Sequence, residues 1–120
     1  KLEHAETTFA AVAAEWLAKR ERDGLSAGSV ARERRLVEKD LASIGVLPVA
    51  DVTAPALLAA LRKIEQRGVI ETAHRARALA GQIFRYAIAT GRAERNPATD
   101  LAGALPQPRV RHFASVTEPE

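Results

Sequence analysis

The sequence predicts an all-α fold, a compact bundle of four to five helices. Three observations lead there. Hydrophobic residues make up 47% of the 120, yet only three Phe, one Trp and one Tyr are among them, and an Ala-rich, aromatic-poor core favours close helix packing over sheets. Apolar residues recur with helical spacing in four successive segments. Short polar or glycine-containing breaks separate those segments, as helix–helix connections in bundles do.

Taken in order, residues 1–7 read as a polar lead-in, with Thr7 or Thr8 placed to cap a first helix running to about Arg22. Phe9, Val12, Ala13, Trp16 and Leu17 form its apolar stripe, and Asp23-Gly24 ends it. Ser26 or Ser29 caps a second helix expected to reach Ile44, with Val30, Val37, Leu41 and Ile44 on one side and Gly45 as its terminator. Pro48 sits in a short extended connector from Val46 to Val52. Thr53 and Pro55 open a third helix that buries Leu57, Leu58, Leu61 and Ile64 and stops at Gly68.

The fourth helix, Glu71 to Thr90, organises the rest. At about 100° per residue, Ala73, Ala76, Leu79, Ala80, Ile83, Phe84, Ala87 and Ile88 form a band over more than half its circumference. A helix apolar over so wide an arc is surrounded by other helices. The remaining strip holds His74, Arg75, Ala78, Gly81, Gln82 and Arg85, and its small residues let something approach the backbone closely. Arg77 lies at the band's edge and is expected to snorkel, whereas Tyr86 and Trp16 read as core. Gly91 closes the helix, Asn96-Pro97 begins a final turn through Ala104, and residues 105–120, with three prolines and Arg109, Arg111 and His112, read as a linker. The bundle proper thus spans 8–104. The opening Lys1-Leu2-Glu3-His4 is what a piece of a longer protein presents.

Composition removes several function classes. With no cysteine, a disulfide framework and a thiolate metal site are both excluded. No apolar run reaches membrane-spanning length and no signal-peptide pattern is present. His4, His74 and His112 lack metal-ligand spacing, and no phosphate-cradling glycine loop occurs. Ser26, Ser29 and Ser115 are not set in any nucleophile motif. We therefore expect no catalytic residue, cofactor, metal or small-molecule ligand. Glu33 and Glu38 lie among arginines as ordinary surface pairs.

The cations are more informative. Net charge is only +3, so where the charges sit matters more than their sum. Arg32, Arg35 and Lys39 align at i, i+3 and i+7 on the second helix, opposite its apolar side and with no acid at their own angular position. A solvated charged face is the commonest fate of such a run. The second cationic strip on the central helix argues against it here. Two helices presenting arginines, with capping hydroxyls at Ser29 and Thr72, match the needs of duplex DNA: cations and helix N-termini for phosphate and side chains for base edges.

The run Ile64-Glu65-Gln66-Arg67-Gly68, then Glu71-Thr72-Ala73-His74-Arg75, Ile83-Phe84-Arg85-Tyr86-Ala87-Ile88, Gly91 and Asn96-Pro97-Ala98 resembles the phage integrases. Within them it is similar to the prophage and genomic-island branch of the tyrosine site-specific recombinases, over their central, core-binding domain. Ile44-Gly45, Leu47-Pro48-Val49, Val52-Thr53 and the exit Ala104-Leu105-Pro106 through His112 agree, so the likeness covers nearly the whole chain, from about Thr8 to Glu120. It implies a SAM-like four-to-five-helix bundle acting in the bacterial cytoplasm on attachment-site DNA, alongside other integrase protomers. There the second and fourth helices face the major groove, while a separate catalytic domain carries the tyrosine chemistry. Carried onto this chain, Arg32, Arg35, Lys39 and Arg75 are expected to contact phosphate. Gln82, Arg85 and His74 are expected at base edges, with Ser29 and Thr72 beside them, and Tyr86 matches a core position.

Two other readings remain. A helical protein–protein adaptor without nucleic acid calls for an exposed apolar patch, for which Val69-Ile70 is the candidate. A helix-turn-helix regulator is disfavoured because the connector from Gly45 to Val52 is too long for that motif's turn.

Overall fold

A computed structural model describes residues 7–101 and 103–106. The polar lead-in before Thr7 and the Pro- and Arg-containing linker from Gln107 onward lie outside the described residues. Helix α1 spans Phe9–Arg22 and α2 spans Ala27–Arg35. A π turn, Leu36–Asp40, continues α2 and is followed by the short α3, Ala42–Gly45. A 3-10 turn at Val49–Asp51 leads to α4, Ala54–Gln66; then come α5, Ile70–Ala89, and a 3-10 turn, Pro97–Leu101. No strand occurs among the described residues; a single antiparallel bridge joins Thr8 to Pro48.

Local chemistry explains most boundaries. Thr8, Ser26 and Thr53 cap α1, α2 and α4 by accepting hydrogen bonds from the N–H groups of Ala11, Ser29 and Ala56, each at 3.2 Å. Those hydroxyls satisfy N–H groups that the first turn leaves without a partner. Gly24, at φ 109°, takes the left-handed conformation just past α1. The expected stripe of α1 is buried residue for residue.

The second helix departs from expectation. It does not run unbroken to Ile44: the N–H of Leu41 donates to the carbonyl of Leu36 at 2.9 Å, an i→i−5 bond, and Leu41 then leaves helical geometry at φ −109°, ψ 20°. The π turn brings Leu36 as well as Val37, Leu41 and Ile44 into the core. Gly45 does not terminate by a left-handed turn either. It ends α3 in a buried position, where a Cβ would meet that of Ala10 at 3.5 Å. The connector is pinned rather than simply extended, since Phe9 N–H donates to Leu47 O at 2.8 Å and Val49 N–H to Thr7 O at 2.7 Å.

Helix α5 lies at the centre, touching α1, α4, the π turn and the Pro97–Leu101 turn. Ala73, Ala76, Leu79, Ala80, Ile83, Phe84 and Ala87 are buried as expected, but Ile88 is 38% exposed at the edge of the band. Leu58 of α4 is likewise only half-buried. Gly81 is buried because the chain itself fills the close-approach position. Asn96 Nδ2 donates to Gly81 O at 3.1 Å, and a Cβ on Gly81 would stand 3.5 Å from that of Ala98. Leu105, where the helical pattern dissolves, is 4% exposed and joins the same core.

Phe9 and Phe84, both fully buried, meet with ring centroids 5.1 Å apart at an interplanar angle of 44°. At the far end of α5, Tyr86 Oη donates to Glu15, and Arg92 donates to both oxygens of the same carboxylate at 2.9 Å. Tyr86 is thus a half-buried residue with a hydrogen-bonded rim hydroxyl rather than fully core. Trp16 is buried, with the Arg20 guanidinium 4.8 Å above its ring.

Phe84→Ala should destabilise the bundle by about 3–5 kcal/mol in urea unfolding, because it leaves a cavity against Phe9; a loss under about 1 kcal/mol would show the site collapses freely. The hydrogen bonds from Arg92 and Tyr86 hold the Glu15 carboxyl down at about 2, below its ordinary 4.5. Its stabilising effect is therefore present above that ordinary value and disappears as pH falls toward 2. With Glu15 48% exposed, solvent screening keeps the effect under about 1 kcal/mol. The stability gap between the wild type and Glu15→Gln should accordingly be small at neutral pH and close through that acid window. A gap that persists at the acid end contradicts the assignment.

Candidate nucleic-acid interface

The π turn and α5 bring the two cationic strips together. Ser29, Arg32, Arg35 and Leu36 from α2 and its continuation face Thr72 and Arg75 of α5 across a groove of about 580 Å³, with Glu33 and Asp40 also on its walls. Arg32 Nη2 donates to Ser29 Oγ at 3.0 Å, which fixes the guanidinium over the first turn of α2. Arg35 and Arg75 are exposed and have no hydrogen-bond or ion-pair partner among the described residues.

The groove's two carboxylates are answered from outside it. Arg20 of α1 grips Glu33 with both nitrogens, Nε to Oε1 at 3.2 Å and Nη2 to Oε2 at 2.9 Å. Arg67, just past α4, reaches Asp40 Oδ1 at 2.9 Å. Glu33 is therefore not in a pair with its own helix, as its sequence neighbours suggested, but in a pair across helices. The electrostatic outcome is a groove whose acids are compensated by cations it does not expose, leaving Arg32, Arg35 and Arg75 to act on whatever enters.

Lys39 is exposed but does not line the groove; Asp40 does. The π turn is the reason. Its i→i+5 bonding takes in roughly one extra residue per turn, so the strip that begins at Arg32 and Arg35 arrives at position 40 rather than 39. An α-helical projection has no means of registering that shift. Asp40 is thus the residue that sequence reasoning missed.

The hydroxyls also need revision. Ser26, not Ser29, caps α2, and Ser29 sits within its first turn. Helix α5 starts at Ile70 with Val69 as its N-cap and no side-chain cap, so Thr72 is an internal residue rather than a capping one. Both hydroxyls still face the groove.

The remaining candidates lie elsewhere on α5. Gln82 and Arg85 share a smaller depression of about 210 Å³ with Arg77, Asn96 and Thr99. Arg77 Nη1 reaches Ala98 O at 3.4 Å, in keeping with a cation drawn along the buried edge. His74 Nε2–H donates to Pro106 O at 2.6 Å. That bond commits one ring nitrogen to the departing chain and leaves Nδ1 for any outside partner. Among the described residues no group of three or more His, Asp or Glu could hold a metal ion, and no helix is long and apolar enough to cross a membrane.

The caps yield a direct test. Ser26→Ala should cost about 1 kcal/mol in chemical unfolding. Thr72→Ala should stay within about 0.5 kcal/mol, since alanine is the better helix former at an internal position. Equal losses would return Thr72 to a capping role.

With this geometry in view, comparison with known proteins is specific. Residues 9–104 match the phage integrase central domain. The chain is 38% identical over 107 residues to the prophage integrase IntS of Escherichia coli and, equally, to the integrase of Shigella phage Sf6, in each case across 88% of this chain and 28% of the relative. It is 32% identical over 110 residues to the integrase of Enterobacteria phage P4. The chain thus spans about a quarter of these relatives' length, 25% to 28%. The NMR structure of fragment 87–196 of the E. coli phage integrase IntS superposes with a TM-score of 0.71 at 38% identity, covering 82% of this chain and 84% of that fragment. The chain belongs to the phage integrase central domain family.

Proposed function

We propose that this chain is the core-binding DNA module of a tyrosine integrase, gripping attachment-site duplex in the bacterial cytoplasm during integration and excision. The observation that carries the proposal is the groove in which Arg32, Arg35 and Arg75 converge while Glu33 and Asp40 are neutralised by Arg20 and Arg67. Guanidiniums without an acid partner suit phosphate oxygens, which they bind bidentately, and they gain affinity by releasing condensed counterions. Ser29 and Thr72 add hydroxyl donors beside them. Lys39, outside the groove, contributes a more distant phosphate contact.

Gln82 and Arg85, farther along α5, are suited to base edges, where Gln pairs with adenine and Arg with guanine. His74 joins them only through Nδ1 and otherwise holds the exit of the chain. Bond cleavage is not assigned to these residues: Tyr86, the one tyrosine, is engaged with Glu15 and packed against the core. The integrase chemistry belongs to the parts of the relatives that this chain does not match. Other integrase protomers are the proposed protein partners in the full assembly.

A helical protein–protein adaptor is the second reading. The observations favouring it are Val46, 76% exposed beside Ala10, Ala14 and Ala42, and, to a lesser degree, Val69 of the expected Val69-Ile70 pair, 39% exposed.

A titration of the chain with short duplex DNA, followed by NMR at low and moderate salt, separates the two. Shifts should concentrate on residues 29–40 and 72–85 and fade as salt rises. Shifts confined to the Val46 surface, or none at low salt, favour the adaptor. The Arg32→Ala, Arg35→Ala double variant should flatten the slope of log affinity against log salt by about 1.8, since each phosphate contact contributes about 0.9. Equal slopes for variant and wild type remove these residues from the phosphate-binding set.

A further inference from the structure

Asp40 is an anomaly in a groove suited to phosphate. It stands on the same wall as Arg32 and Arg35, it is only 16% exposed, and it is there because of the π turn. Its pairing is also incomplete. Arg67 takes Oδ1, whereas Oδ2 has no partner among the described residues. Glu33 differs in this respect, since Arg20 occupies both of its oxygens. One carboxylate in the groove therefore has both oxygens engaged, and the other has an oxygen without a donor among the described residues.

Resting on the duplex-DNA reading above, we propose that Asp40 is a specificity-determining residue whose free Oδ2 accepts a hydrogen bond from the exocyclic N4 amine of a cytosine in the major groove. A phosphate cannot be its partner, because two anions at hydrogen-bond distance repel. An ionised carboxylate only accepts, so the partner must be a donor. The major-groove edge of cytosine offers the N4 amine as its donor, whereas adenine sets its N7 acceptor beside N6, and guanine and thymine present acceptors there. Arg67 offsets the charge of Asp40 through Oδ1, which limits the repulsion that a bare carboxylate exerts on flanking phosphates. Arg32, Arg35 and Arg75 then hold the strands on either side, and Asp40 excludes base pairs that offer it no amine.

The test is a selection from randomised short duplexes at low salt, with the wild type, Asp40→Asn and Asp40→Ala compared. Wild type should show one position with about a tenfold preference for cytosine. Asp40→Asn should move that preference toward adenine, which Asn pairs through N6 and N7. Asp40→Ala should abolish it while leaving binding to other sequences equal or tighter. A further measurement needs no variant: replacing that cytosine with 2-pyrimidinone, which lacks the amine, should cost wild type the same tenfold or so. If wild type binds but selects no cytosine, the assignment of Asp40 is overturned. The same holds if the variants change affinity equally for all sequences, or if 2-pyrimidinone binds as well as cytosine. If no duplex binds to any of the proteins at low salt, the DNA-binding reading itself fails, which is a separate result.

Discussion

Burial of one broad face of α5 is the constraint on which the rest of the structure depends. Its alanines at 73, 76, 80 and 87 let α1, α4 and the π turn approach closely, while Phe84 against Phe9 and Ile83 supply the bulk. Small residues at close approaches and large ones in the gaps are how side chains interdigitate in a close-packed protein interior. The opposite side of α5 is exposed or half-buried, and part of that side forms a wall of the groove. Core and candidate interface are opposite sides of one rigid element, so the positions of Thr72 and Arg75 are set by the packing of Ala73 and Ala76 beside them.

The groove's charge is organised by pairs that span helices. Arg20 and Arg67 come from α1 and from the end of α4, yet the acids they neutralise are on the α2 wall. Partly exposed pairs of this kind contribute little to stability. Their effect is on potential: they cancel the negative charge where the free guanidiniums converge, so the field at the groove is positive although the whole chain is close to balanced. Arg20 serves twice, since its guanidinium also covers the Trp16 ring.

The α5 strip is divided by the chain's own return. The Pro97–Leu101 turn covers Gly81 through Asn96 and Ala98, and Pro106 takes one nitrogen of His74. The strip is therefore two separate surfaces, a groove at Thr72 and Arg75 and a smaller depression at Gln82 and Arg85. Pro106 is thereby tied to the face proposed to meet DNA, next to Leu105 in the core.

What the sequence by itself determined is what depends on local periodicity and local hydrogen bonding. The buried stripe of α1, the caps at Thr8 and Thr53, the left-handed glycine after α1 and the central burial of α5 are all of that kind, because neighbouring residues suffice to specify them. The order and spacing of its motifs also sufficed to identify the family. Tertiary structure alone decided the rest. Only packing against α5 and α1 shows that α2 passes into a π turn, a shift that exchanges Lys39 for Asp40 on the groove wall. Only the fold brings Arg20 to Glu33 and Arg67 to Asp40, across separations of 13 and 27 residues. Capping by Ser26 rather than Ser29, and the start of α5 ahead of Thr72, depend on where neighbouring helices let the chain turn. The opening beside Gly81 could be read as room for a ligand from its sequence, but it is filled by a segment about fifteen residues later. Periodicity reports which face of a helix is apolar; it carries no information on which distant side chain comes to rest against the other face.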